Sequence, residues 1–194
     1  MASFPARAQA QRLLEEAYGC NPGPWADHSR IAAMCAEKIA GAAGMDGDKA
    51  YVLGLLHDIG RKFGVKHLGH VYDGYHYMID LGYEEAARIC LTHSFVFPTL
   101  ECYVGNRDIS SEQQEELSGL LKMTPYDDYD RLIQLCDCLA GSTGVMDIEE
   151  RMADVKRRYG FYPEDKWNAN LALKDYFQEK TGKELYSLIA NLKV

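Results

Sequence analysis

The stretch Tyr51-Val-Leu-Gly-Leu-Leu-His-Asp-Ile-Gly-Arg61 decides how this chain is read. Six residues of almost unbroken apolar character run directly into an adjacent histidine and aspartate. An unpaired carboxylate at the end of such a segment is costly to bury. A divalent cation resolves that cost for both residues at once, because neutral imidazole and carboxylate are natural ligands of the same borderline metals. The dipeptide His57-Asp58 is therefore the anchor, and the rest of the chain has to supply partners for it.

Working outward, the pattern is helical throughout. Pro5 to Tyr18 reads as a first helix, stopped at Gly19 and the Asn21-Pro-Gly-Pro24 cluster. A second, from Trp25 to Ala43, carries Ile31, Cys35 and Ile39 on one face, and His28 falls on that face too. A third, capped by Asp46 or Asp48, is expected to run through Asp58. Further helices are expected over 67–81, 83–93, 110–124 and 127–140. In the 127–140 helix Leu132, Ile133, Cys136 and Ala140 point inward with Asp137 beside them. Amphipathic helices then follow over 147–159, 163–180 and 183–192. Within the first of these, Ile148, Met152, Val155 and Tyr159 are expected to pack in the core. No alternating run argues for a sheet. The expected fold is all-α, one domain over 1–194, with a core at about 24–142 and a C-terminal helical extension at about 146–194.

Composition bounds the function. The chain has 194 residues, 47% hydrophobic and 26% charged, which suits one globular domain with a substantial core. Its net charge of −8 argues against a nucleic-acid partner. No apolar run reaches membrane-spanning length, and the N-terminal Met1-Ala-Ser-Phe-Pro-Ala-Arg-Ala-Gln9 lacks the apolar centre of a signal peptide, so no membrane partner and a cytoplasmic location are expected. The six cysteines are expected to be reduced. Cys35, Cys90 and Cys136 read as core residues, and Cys136-Asp-Cys138 lacks zinc-ribbon spacing.

His28, His57, Asp58 and Asp137 thus face inward from different helices. The order His…His-Asp…Asp, with His57-Asp-Ile-Gly-Arg61 and an apolar Leu-Ile-Gln-Leu-Cys run before Asp137, resembles the HD superfamily of metal-dependent phosphohydrolases. The resemblance spans His28 to Asp137 and implies an HD-domain helical bundle. His70-Val-Tyr-Asp-Gly74 and Thr92-His93 extend it. In subgroups of the superfamily, histidines at such positions complete a six-ligand, two-metal site. The HD-GYP phosphodiesterases and the small bacterial hydrolases that split diadenosine tetraphosphate have this arrangement. Chain size is more similar to the second group, and no Gly-Tyr-Pro follows His93.

The resemblance implies that His28, His57 and Asp137 hold one metal, that His70 and His93 hold another, and that Asp58 bridges them. His76 is the competitor of His70 and reads as a surface residue. One or two divalent ions per chain are expected: iron, manganese, zinc, nickel or cobalt. Two such metals activate water and clamp phosphoryl oxygens. Asp58 and Arg61 are the expected catalytic residues. Arg61, Lys66 and His67 are the expected substrate contacts, although Lys66 more often reads as a solvated surface charge and His67 as a helix-start or solvent residue. Phe95, Phe97 and Tyr103 suit a base pocket or plain core packing. The expected activity is hydrolysis of a phosphoester or phosphoanhydride bond, and the expected partner a small phosphorylated substrate, in the first instance a nucleotide. A homodimer is compatible with this reading. Two alternatives share the ligand set: an HD-type mixed-valence di-iron oxygenase and a nucleotide-sensing binding module.

Overall fold

The computed structural model describes residues 3–194 and is all-α. Met1 and Ala2, where the N-terminal run and the domain reading begin, lie outside the described residues. The helices are α1 (Arg7–Cys20), α2 (Trp25–Ala42), α3 (Gly47–Leu56), α4 (Leu68–Asp80), α5 (Glu84–Thr92), α6 (Ser111–Met123), α7 (Asp128–Leu139), α8 (Ile148–Tyr159), α9 (Glu164–Thr181) and α10 (Leu185–Ile189). Pairing of extended backbone among the described residues is limited to one isolated bridge, Ala140 with Val145. No helix among them is long and apolar enough to cross a membrane.

Local chemistry sets the helix starts. The Asp46 side chain accepts the backbone N–H of Lys49 at the head of α3. Ser110 and Gln113 form a reciprocal capping box at α6, as Asp127 and Asp130 do at α7. Helix α3 is buried nearly all round, from Ala50 to Leu56, because α1, α2, α5 and α7 pack against it. Each of its leucines contributes roughly 1.5–3 kcal/mol by leaving water. Gly54 permits the closest approach to α2: a Cβ there would lie 2.9 Å from the Cα of Ala33. Ile31, Cys35 and Ile39 are fully buried on the facing side of α2, as are Cys90 and Cys136 on α5 and α7.

One core cluster joins α1, α2, α3, α5 and α7 with buried residues of the C-terminal helices, including Ile148, Met152, Phe177, Leu185 and Ile189. A smaller cluster, built on Leu68, Val71, Leu91, Phe95, Leu117 and Leu121, joins α4 to α6.

Two expectations need correction. Helix α3 does not run through Asp58. It ends at Leu56, and the chain tightens into a 3-10 turn over Ile59–Phe63. His57 keeps helical torsions (φ −56°, ψ −35°), while Asp58 moves to φ −102°, ψ 13°. Successive residues of a helix point about 100° apart, so the break lets both neighbours face one site. Val155 and Tyr159 are not core residues either. Only Ile148 and Met152 of that stripe are buried, because the last turns of α8 overhang a cavity.

Candidate metal centre

Six side chains converge from six places in the chain. His28 comes from the first turns of α2, His57 from the end of α3, and Asp58 from the entry to the 3-10 turn. His70 comes from the start of α4, His93 from the end of α5, and Asp137 from the last turn of α7. They form two groups, His28 with His57 and Asp137, and Asp58 with His70 and His93; within each, the candidate ligand atoms lie within 4.8 Å of one another.

In the first group, His28 Nε2 lies 3.0 Å and His57 Nε2 3.9 Å from Asp137 Oδ1. In the second, His70 Nε2 lies 3.0 Å and His93 Nε2 3.5 Å from Asp58 Oδ1. His57 Nε2 is 4.0 Å from Asp58 Oδ2, so the two oxygens of Asp58 face different groups.

Hydrogen bonds settle the tautomers. Nδ1 of His28 lies 3.0 Å from the carbonyl of Ala140, that of His57 2.7 Å from Gly54, and that of His93 2.9 Å from Cys90. Nδ1 of His70 faces the carbonyl of His67. A carbonyl only accepts, so each Nδ1 carries the hydrogen and donates it. In a neutral ring the inward Nε2 is then a bare lone pair. The Nε2 atoms of His70 and His93 face one another at 3.2 Å, and His57 Nε2 is buried with no partner among the described residues. Lone pairs and carboxylate oxygens aimed at one another repel unless a cation lies among them. The donor set therefore fits divalent metal, with each ring oriented through its other nitrogen in the usual manner of metal-ligating histidine.

Electrostatics agree. Burial lowers the His57 imidazole to about 4, so it stays neutral and ligand-competent at neutral pH. Burial, then Arg61, lower His70 as well. Burial alone would push Asp58 and Asp137 up. Arg61, His70 and His57 outweigh it for Asp58, and His28, His57 and His93 outweigh it for Asp137, so both carboxyls stay ionised.

The 3-10 turn has a further role. Gly60 packs directly on α4, where a Cβ would fall 2.0 Å from the His70 carbonyl oxygen and 2.5 Å from the Gly74 nitrogen. That contact sets His70 against Asp58. Arg61, one turn on from Asp58, donates from Nε to Asp58 Oδ2 at 2.6 Å. Its Nη1 lies 3.4 Å from the Lys66 carbonyl.

A cavity of about 550 Å³ opens over the centre, and Arg61, Lys66 and His67 all line it. Lys66 is held at 2.5 Å by Asp73. His67 Nδ1 lies 3.1 Å from the Tyr159 hydroxyl. His76 stands apart, 3.2 Å from Glu116. Phe95 is fully buried and Phe97 packs beside it, whereas Tyr103 reaches the cavity.

Sequence reasoning missed two supports. Thr92 donates to Asp130 at 2.6 Å, and Gln134 donates to the carbonyls of Thr92 and Phe95 at 3.0 Å each. Both fasten the end of α5, and hence His93, to α7. The signal was present: Asp130, Gln134 and Asp137 form a polar row at helical spacing inside an apolar helix. It also missed the wall of the cavity supplied by α8, α9 and the turn between them, including Arg151, Tyr162 and Lys166.

Comparison with known proteins places these residues in context. The model of a family described as the HD domain matches residues 25–142, which contain all six converging side chains and exclude α8, α9 and α10. Among curated proteins, none matches. Among solved structures, the chain is similar to the crystal structure of a predicted HD superfamily hydrolase from an uncultured Thermotogales bacterium. The two are 20% identical, with 89% of this chain and 87% of the other covered and a TM-score of 0.41.

Proposed function

The chain belongs to the HD domain family, and from that premise we propose that it is a metal-dependent phosphohydrolase acting on a small phosphorylated metabolite. The observation that carries the reading is the pair of three-donor groups meeting at Asp58 beneath a cavity with cationic walls. His28, His57 and Asp137 would hold one divalent ion, and Asp58, His70 and His93 a second. Iron, manganese, zinc, nickel and cobalt all suit these nitrogen and oxygen donors. Ions so held supply a water nucleophile at neutral pH and neutralise phosphoryl charge.

The chain's own residues do the rest. Arg61 fixes the outer oxygen of Asp58 through Nε and keeps the carboxyl ionised. Its planar fork is suited to hold a phosphoryl group with its remaining N–H groups. Lys66 and His67, at the cavity edge, are placed to meet the same charge. A nucleotide is the first substrate class to test, because the cavity volume lies within the range of small-molecule sites and Trp25, Tyr103 and Tyr159 give its lining aromatic faces.

The test is phosphate release over a panel of nucleotides and phosphoesters by protein loaded with each candidate metal. Chelation abolishes the activity, and Asp58→Ala lowers it by about 10²–10³-fold, the scale of losing a principal charge-stabilising group. Oxygen-dependent turnover without phosphate release would replace this reading with an oxygenase. Nucleotide binding without turnover would replace it with a sensor.

A further inference from the structure

The chain has a net charge of −8, yet the cavity is lined otherwise. Apart from five of the converging side chains, its formally charged lining consists of Arg61, Lys66, Arg151, Arg158 and Lys166 against Asp154 alone. Most of these cations are already engaged. Arg61 holds Asp58, Lys66 holds Asp73, and Arg158 holds Asp154 at 3.0 Å.

Arg151 is different. Its side chain is 22% exposed, its Nε is buried without a partner among the described residues, and its nearest acid, Asp154, lies 3.8 Å from Nη1. Asp154 is in any case occupied, with Arg157 on one oxygen and Arg158 on the other. A largely buried guanidinium that forms no hydrogen bond carries a cost that an anion would remove. Lys166 lines the same cavity. Its ammonium donates to the carbonyls of Ser94 and Cys102 at 2.9 and 3.0 Å, which leaves one N–H over. Both cations line the cavity that also exposes His28, Asp58, His70, His93 and Asp137.

We propose that Arg151, assisted by Lys166, forms a second anion subsite in the wall that α8 and α9 add, and that the substrate therefore carries two anionic groups. One group sits at the converging histidines and aspartates, and the other is held by Arg151. The substrate half of this inference rests on the phosphohydrolase reading. A metabolite with a single phosphate would leave Arg151 without a partner. A polyphosphorylated or bisphosphorylated one satisfies it.

Calorimetric titration of the metal-loaded, full-length protein with inorganic orthophosphate and inorganic tripolyphosphate tests the subsite without relying on turnover. Tripolyphosphate should bind at least about tenfold more tightly than orthophosphate, the scale of one added charge-assisted contact. Arg151→Gln should remove that advantage while metal content stays constant. Arg151→Lys should keep most of it. Arg157→Gln, on the same helix but outside the cavity lining, should change nothing. Arg151→Met retains the aliphatic stem, and should behave as Arg151→Gln does if that variant folds poorly. The inference is overturned if the wild type shows no preference for tripolyphosphate, or if removing Arg151 weakens both anions equally or neither. Phosphate release that proceeds with no dependence on Arg151 sinks this subsite alone. A preference for tripolyphosphate that depends on Arg151, with no phosphorylated compound hydrolysed, sinks the phosphohydrolase reading alone.

Discussion

His70 and His76 share one helix and differ in what their Nε2 atoms meet. His70 faces Asp58 and His93 in a buried site, whereas His76 is half-buried, away from that site, with its Nε2 3.2 Å from Glu116. His70→Ala should reduce bound metal from about two ions per chain toward one, the number a two-metal site leaves after losing one set of ligands. His76→Ala should leave metal content unchanged and alter stability by less than about 0.5 kcal/mol, as exposed pairs do. Metal analysis by mass spectrometry checks both, and loss of metal on replacing His76 would show that the other histidine is the ligand. His57 carries a pH prediction. Its folded-state value is about 4, below the ordinary 6.5. Between those values the unfolded chain binds the proton and the folded chain does not, so stability falls as pH falls through that window. The loss for metal-free protein is about 3 kcal/mol and levels off below the folded value. Urea titrations of chelated protein at pH 4.5 and 6.5 measure it, and an His57→Asn variant with an unchanged slope would refute the assignment. Asp58 and Asp137, both held low, add a further loss only below their ordinary 3.8.

At the scale of elements, the centre depends on how closely α3, the 3-10 turn and α4 approach. Gly60 is the contact on which this depends. A methyl group there meets backbone atoms of His70 and Gly74, which cannot swing aside as a side chain would. Gly60→Ala should therefore cost about 3 kcal/mol or more, the range of forced overpacking, and should displace His70 from Asp58. Denaturant midpoints report the first effect and metal stoichiometry the second. Full stability with full metal content would show that the turn has slack. This junction also explains why one boundary was hard to read. The apolar run through Leu56 has no helix stop before His57, and the break comes from the fit of Gly60 against another helix, a contact 10 or more residues away. The caps at Asp46 and Ser110, by contrast, act within three residues and were legible.

For the whole molecule, the C-terminal helices lie beyond the span matched by the HD family model yet share its core. Phe177, Leu185 and Ile189 are buried in one cluster with α2 and α7, which carry His28 and Asp137. A chain ending at residue 146 should therefore lose its cooperative unfolding transition, because deleting three such side chains alone removes roughly 5–9 kcal/mol of burial, comparable to the net stability of a domain. Calorimetry of the truncated protein measures this. A sharp transition would show that residues 1–146 fold without the C-terminal helices.

The sequence by itself determined the helical character and the burial of α2 and α3, and its resemblance to the HD superfamily implied the six residues that converge. Periodicity and the His-Asp break are local facts, and the order His28, His57-Asp58, His70, His93, Asp137 needs no coordinates to be seen. Tertiary structure alone decided which nitrogen each imidazole turns inward and which polar residues brace the site. Those depend on backbone carbonyls such as those of Ala140 and Gly54, which every residue possesses and which leave no mark on the residue pattern. It also decided that Val155 and Tyr159 face a cavity and that Arg151 lines its wall with a buried Nε that has no partner among the described residues. An amphipathic helix shows which face is apolar; whether that face meets a core or a cavity is set by where its neighbours stop.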